Sequence, residues 1–220
     1  MEPTSRKYLF FDLDGTLTDS MPGIARAVQY ALRRFGIDVQ DLAALKPFLG
    51  PPLRDSFMEF YGMSPEEADR AVAVSREYFV PRGMFENELY PGIPELLAAT
   101  AAAGRVNVIA TSKPQPFAER IAAHFGIDRH FRLISGSTFD GRRKTKADVI
   151  RHALSALGIA PGEAVMIGDR RHDVEGAAEE GLTAIAVEWG YAPPGELEAA
   201  RPLRIVPDVE TLRRLLLGNE

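Results

Sequence analysis

Short apolar runs alternate with amphipathic stretches along most of this chain, and the period of each predicts an element. Tyr8-Leu9-Phe10-Phe11 is a bulky apolar run that stops at the acidic turn Asp12-Leu13-Asp14-Gly15. Residues 106–110, 164–167 and 184–187 form three more such runs, and residues 131–134 and 204–206 are weaker copies. Near-continuous apolar runs of strand length, separated by helix-length segments, predict a parallel sheet covered on both faces by helices. The segments 94–103, 116–125, 145–157 and 173–180 fit those helices. Gly104, Gly126, Gly158 and Gly181 follow or close them, where a helix C-terminus favours glycine.

From about residue 22 to residue 85 the rhythm changes. Ile24, Ala27, Val28, Ala31, Leu32 and Phe35 recur at helical spacing, and the stretch from Pro65 to Phe79 opens with proline and two glutamates, a favourable first turn. About sixty helical residues separate the first strand from the next, far more than a strand–helix–strand crossover needs. The pattern therefore predicts an α/β core of residues 1–17 and 86–220 with a small all-helical domain, residues 18–85, inserted after the first strand.

Composition narrows the function. The 220 residues carry 26 Lys+Arg against 31 Asp+Glu, a net charge of −5, which argues against nucleic acid or an anionic membrane as partner. Cysteine is absent, which removes disulfides, thiolate nucleophiles and cysteine-based metal sites. No apolar run approaches the roughly 18 residues that cross a bilayer, and the four apolar residues before Asp12 are too few for a signal peptide. A soluble, cytoplasmic protein, monomer or homodimer, is expected.

Ligands of an open parallel sheet bind beyond the carboxyl ends of the strands, and the polar clusters of this chain fall there. Asp12 and Asp14, at i and i+2, project to one side of extended chain, and Gly15 permits a sharp turn after them. Thr111 and Ser112 close the second main strand. Asp169 closes the third, with Asp173 one helical turn further on, and Lys144 and Lys146 open the helix before it. Alone, the Asp-x-Asp reads equally well as a turn, and Thr111-Ser112 and the two lysines read better as a helix cap and as solvated charges. Their recurrence at successive strand ends points to one phosphate-plus-metal site.

These residues carry a resemblance. Phe10-Phe11-Asp12-Leu13-Asp14-Gly15-Thr16-Leu17 resembles motif I of the haloacid dehalogenase (HAD) superfamily, and Thr111-Ser112-Lys113 its motif II. Lys146-Ala147-Asp148-Val149-Ile150 is similar to the motif III lysine segment, and Gly168-Asp169-Arg170-Arg171-His172-Asp173 to motif IV. The insert is similar to the family's C1 cap. Within the superfamily the chain resembles the phosphoglycolate phosphatase-like and 5′-nucleotidase-like group, the latter through Phe48-Leu49-Gly50-Pro51-Pro52-Leu53 and Gly168-Asp169-Arg170. The resemblance implies a HAD-like Rossmannoid core and a Mg²⁺-dependent phosphatase of small phosphorylated metabolites. Asp12 would be the nucleophile forming an aspartyl-phosphate, and Asp14 the general acid and base. Asp12, the Asp14 carbonyl and Asp169 would hold Mg²⁺, with Asp173 behind them. Thr111 and Ser112 would bind the phosphoryl group and Lys146 would offset its charge, with Lys144 the rival for that role.

Arg54 is a candidate for a charged substrate group. Phe48, Phe57, Trp189 and Tyr191 are candidates for a nucleobase face. His172 is expected on a solvent-facing helix position, and His124, His130 and His152 are read as structural. Phosphoglycolate leads among substrates, with nucleoside monophosphates the alternative and a phosphomutase a more distant one. A dehalogenase has no use for the acid at Asp14, a receiver domain carries no sixty-residue insert after its first acidic cluster, and a non-catalytic scaffold of the family is expected to lose Asp12 or Asp14.

Overall fold

The computed structural model describes residues 6–218. The chain divides into two compact units, one running to Thr18 and resuming at Leu89, the other spanning Asp19–Glu88.

The first unit is built on six parallel strands: β1 (Tyr8–Phe11), β4 (Val106–Pro114), β5 (Phe131–Ser137), β6 (Ala164–Gly168), β7 (Thr183–Val187) and β8 (Arg204–Val206). Their spatial order is β5-β4-β1-β6-β7-β8. Phe11 is level with Ile109 on one side and Ile167 on the other. The earliest strand thus lies in the middle of the sheet, with one wing and then the other added after it, so the strand order reverses at β1. In open sheets of this kind such a reversal is where ligands bind, beyond the carboxyl ends of the strands. The sheet is sandwiched. On one face Phe10, Val108, Ala110, Met166 and Ala184 pack on Ile150 and Ala153 of α6 (Lys146–Leu157) and Val174 and Ala177 of α7 (Arg171–Glu179). The other face meets α4 (Ile93–Ala102), where the buried Asn107 of β4 accepts from Thr100 Oγ1 at 3.0 Å and donates to the Leu97 carbonyl at 3.1 Å. That satisfies a group whose burial would otherwise cost stability. α5 (Gln115–His124), α8 (Glu196–Ala200) and α9 (Val209–Leu217) complete the unit.

The helix-closing glycines stand where the pattern put them, with φ of 77° at Gly104, 64° at Gly126, 65° at Gly158 and 75° at Gly181. One strand departs from expectation. β4 does not end at Ala110 but continues through Thr111, Ser112 and Lys113 to Pro114. The cause lies in β5. The bare Cα of Gly136 allows close approach, since a Cβ there would stand 2.7 Å from the Lys113 carbonyl oxygen, and Ser137 Oγ donates to the Ser112 carbonyl at 2.7 Å.

The second unit consists of α1 (Met21–Arg34), α2 (Leu53–Tyr61) and α3 (Pro65–Phe79) with short 3₁₀ turns. Alanines 25, 31, 68 and 71 let α1 and α3 come close around Val28, Leu32, Leu45, Phe48 and Phe57. α3 starts on a reciprocal cap, in which Ser64 Oγ accepts from Glu67 N while Glu67 accepts from Ser64 N. Phe48 and Phe57, weighed above as nucleobase faces, are buried in this core with ring centroids 5.1 Å apart. Their aromatic surface is consumed by packing. Two short strands, β2 (Thr18–Asp19) and β3 (Glu88–Leu89), lie where the chain leaves the first unit and returns to it.

Candidate active site

Asp12 follows the last residue of β1, and its N–H still donates to Ile167 O at 2.9 Å, extending the β1–β6 ladder by one residue. Its Oδ1 accepts from Leu13 N at 2.8 Å and from Lys146 Nζ at 2.9 Å. Lys146 opens α6 behind the N-cap Thr145. Its Nζ also lies 2.7 Å from Asp173 Oδ1 and donates to Ala110 O at 3.1 Å. Burial pulls the ammonium towards neutrality, but the charges of Asp12 and then Asp173 outweigh it and raise the Lys146 pKa. Lys144, its rival, is exposed; its backbone N–H donates to Asp148 at 3.0 Å. The structure brings Lys146, not Lys144, to Asp12.

Asp169, directly after β6, is fully buried, accepting from Thr16 Oγ1 at 3.2 Å and from Tyr191 N at 2.8 Å. Two glycines make room for it. A Cβ at Gly15, where φ is 80°, or at Gly190 would stand 2.3 Å from Asp169 atoms. Asp173, in the first turn of α7, accepts from Arg170 N at 3.0 Å, and the missing Cβ of Gly168 leaves space for its carboxylate. Burial, then the neighbouring Asp173 and Asp12, raise the Asp169 pKa well above the usual range. Burial raises that of Asp173 to about 6; Lys146 pulls it down and Asp12 pushes it up.

Carboxylate oxygens of Asp12, Asp169 and Asp173 lie within 4.8 Å of one another. With all three carboxylates ionised, the ammonium of Lys146 would leave two negative charges in excess in a buried place. That imbalance fits a divalent cation with a preference for oxygen. The resemblance puts Asp173 behind the ligands, but here its carboxylate stands in the same cluster. The Asp14 side chain points elsewhere, with Oδ2 2.7 Å from Lys113 Nζ. Sequence reasoning passed over Lys113, a buried lysine near the end of β4.

The remaining candidates separate. Thr111 is buried in β4, next in sequence to Ala110, whose carbonyl accepts from Lys146, and its Oγ1 accepts from Lys113 N at 3.3 Å. Ser112, half-buried, is anchored through its carbonyl to Ser137. Arg54 belongs to the second unit, where its Nε pairs with Asp69 at 2.7 Å. Trp189 donates Nε1–H to Thr16 O at 3.1 Å and sets its ring 6.4 Å from that of Tyr90, so it braces the turn after Asp14. Tyr191 contributes its backbone N–H to Asp169. His172 is half-buried, not solvent-facing; burial, then Arg171 and Arg170, lower its pKa. His152 Nδ1 lies 2.9 Å from Ser135 Oγ. Arg170, with Nε 2.8 Å from Glu196 Oε1, ties the loop between Asp169 and Asp173 to α8. No helix among the described residues is long and apolar enough to cross a membrane.

A parallel sheet with an aspartate nucleophile candidate, a buried lysine and a carboxylate set that could hold a cation at its reversal point fits a hydrolase of phosphomonoesters. The model of the haloacid dehalogenase-like hydrolases matches residues 9–187, and the chain belongs to that family. It is 48% identical over 208 residues, 94% of each chain, to a 5′-nucleotidase of Pseudomonas aeruginosa. A phosphoglycolate phosphatase of the same organism is 26% identical over 213 residues, covering 94% of this chain and 78% of that one. A tyrosine-protein kinase, PtkA of Mycobacterium tuberculosis, is 42% identical over 187 residues, 85% of this chain and 64% of that one. Among solved structures, a predicted phosphatase from Clostridium acetobutylicum superposes with a TM-score of 0.93 at 45% identity, covering 97% of this chain and 99% of the other.

Proposed function

We propose that this chain hydrolyses small phosphomonoesters with Mg²⁺ through a phosphorylated Asp12, and that nucleoside monophosphates are the substrate class. The observation that carries the reaction is the lysine-bound carboxylate set, Asp12 held by Lys146 beside Asp169 and Asp173. Asp12 attacks phosphorus, and the departing ester oxygen takes a proton from Asp14. Water then attacks the acyl phosphate, Asp14 takes its proton, and inorganic phosphate leaves. Lys146 and the Thr111 hydroxyl oppose the charge that builds on the phosphoryl oxygens. Asp12, Asp169 and Asp173 would hold the cation, which supplies charge neutralisation at the phosphate.

The substrate class rests on likeness: 48% identity to a 5′-nucleotidase against 26% to a phosphoglycolate phosphatase. Phosphoglycolate is the second reading, and its recognition would need a cation for the carboxylate. A phosphate-release screen over phosphorylated metabolites tests both. UMP or AMP is expected to outrank phosphoglycolate in kcat/KM. Activity is expected to vanish with EDTA, to return with Mg²⁺ and to return poorly with Ca²⁺, which prefers longer bonds and more ligands. Asp12→Asn, nearly isosteric, is expected to fold and to lose several powers of ten in rate. More than about a tenth of the wild-type rate in that variant would sink the covalent route.

A further inference from the structure

The reaction gives Asp14 two opposite duties, yet an aspartate on a turn is free to rotate and would be a poor acid against an alkoxide. In this fold it is gripped. Lys113 Nζ lies 2.7 Å from Asp14 Oδ2, and the two side chains are 5% and 18% exposed. The other oxygen, Oδ1, is buried and accepts no hydrogen bond among the described residues. The lysine is itself built into place: β4 runs past its expected end, the missing Cβ of Gly136 leaves room for the Lys113 carbonyl, Ser137 fixes Ser112, and Lys113 N–H donates to Thr111 Oγ1. Asp12 has its own cation in Lys146, so the two aspartates of the turn are each served by a different lysine.

We propose that Lys113 is the positioning residue for Asp14 in leaving-group departure. The inference rests on the phosphatase reading above. By occupying Oδ2, Lys113 leaves Oδ1 as the oxygen that carries the proton. As the Asp12–phosphorus bond forms and the ester phosphorus–oxygen bond breaks, that proton passes to the leaving oxygen. The new carboxylate charge on Asp14 then appears beside an ammonium already in contact. In the second step Oδ1 takes the proton back from water.

The test uses the full chain with Mg²⁺ and two probes that differ in little but how readily the phenolate departs, p-nitrophenyl phosphate and phenyl phosphate. A nitrophenolate leaves with little help, whereas a phenolate of pKa about 10 needs the proton. Lys113→Met is expected to lower kcat/KM for phenyl phosphate about tenfold and for p-nitrophenyl phosphate less than about threefold. Lys113→Arg, which keeps a charged donor, is expected to recover part of the phenyl phosphate loss. In an Asp14→Asn background, Lys113→Met is expected to add nothing on either probe, because the lysine acts only through the carboxylate. Equal losses on both probes, or an undiminished loss in the Asp14→Asn background, would overturn the role while leaving the phosphatase reading intact. Wild-type protein releasing phosphate from neither probe would overturn both. Lys113→Gln serves if the Met variant does not fold.

Discussion

Gly190→Ala isolates the contribution of one missing methyl group to the cation site. Gly190 is not among the glycines at positive φ, so alanine meets no backbone strain there. The obstacle is Asp169: a Cβ would stand 2.3 Å from its Cβ and 2.4 Å from Oδ2, against an ordinary contact of 3.4 Å or more. Asp169 must therefore retreat by about 1 Å, which breaks its 2.8 Å bond from Tyr191 N and moves an oxygen out of the carboxylate set. Mg²⁺ tolerates such displacement badly because it demands near-ideal bonds of about 2.1 Å. Losses of this kind cost about 10- to 100-fold in metal affinity, or roughly 1.4–2.7 kcal/mol. The assay is phosphate release as a function of free Mg²⁺, with circular dichroism to show the fold is kept. The half-saturating Mg²⁺ concentration is expected to rise by at least tenfold, with much of the rate regained at high Mg²⁺. A folded variant with unchanged half-saturation would refute the claim that Gly190 exists to make room for Asp169.

Two further expectations follow from the charge arrangement. Lys146→Met removes the ammonium that contacts both Asp12 and Asp173 and leaves buried carboxylates facing one another, so urea denaturation without metal is expected to show a loss of about 3 kcal/mol; a loss under 1 kcal/mol would contradict the geometry. Asp148 is held at a pKa of about 2 by the backbone N–H of Thr145, then that of Lys144, so its cap stabilises the fold above pH 4 and fades as pH falls towards 2. The gap in urea midpoint between wild type and Asp148→Asn is therefore expected to be full at pH 6 and to shrink by pH 3, and a gap independent of pH would discount the cap.

Much of the core was legible because strand and helix periods were unbroken. Tyr8–Phe11 and Arg204–Val206 are strands with the bounds the apolar runs predicted, and Pro65–Phe79 is a helix with the bounds its first-turn residues predicted. α2 went unread: Leu53–Tyr61 buries only Ser56 and Phe57, so it shows no clear apolar stripe. The extension of β4 was hidden because Thr-Ser-Lys-Pro reads locally as a loop, and its cause, Gly136, is 23 residues downstream. Lys113 was missed for the related reason that a lysine is solvated by default, and only the position of Asp14 makes it buried. Gly190 carries no local signal at all, since its role is defined by a side chain from another strand end. Phe48 and Phe57 misled in the opposite direction, as aromatic residues suggest a ligand face wherever their packing partners are unknown.

The place of β1 in the sheet also bears on how the chain is made. Tyr8 pairs with Val106 on one side and Ala164 on the other, so β1, made before the other strands of this sheet, waits for partners about 100 and 155 residues away. At 5–20 residues per second that is on the order of ten seconds with an apolar Tyr-Leu-Phe-Phe segment unpaired. The Asp19–Glu88 unit, made of successive helices with near neighbours in sequence, has its whole complement of partners long before then. Assembly is therefore expected to run out of order, the inserted unit ahead of the sheet that brackets it. Pulse-labelled amide exchange during refolding would show this as protection in α1 and α3 preceding protection at Phe10. The strand that presents Asp12 would be made before either of its partners and be among the last to be secured, which places the burden of avoiding aggregation on the residues that also set up the chemistry.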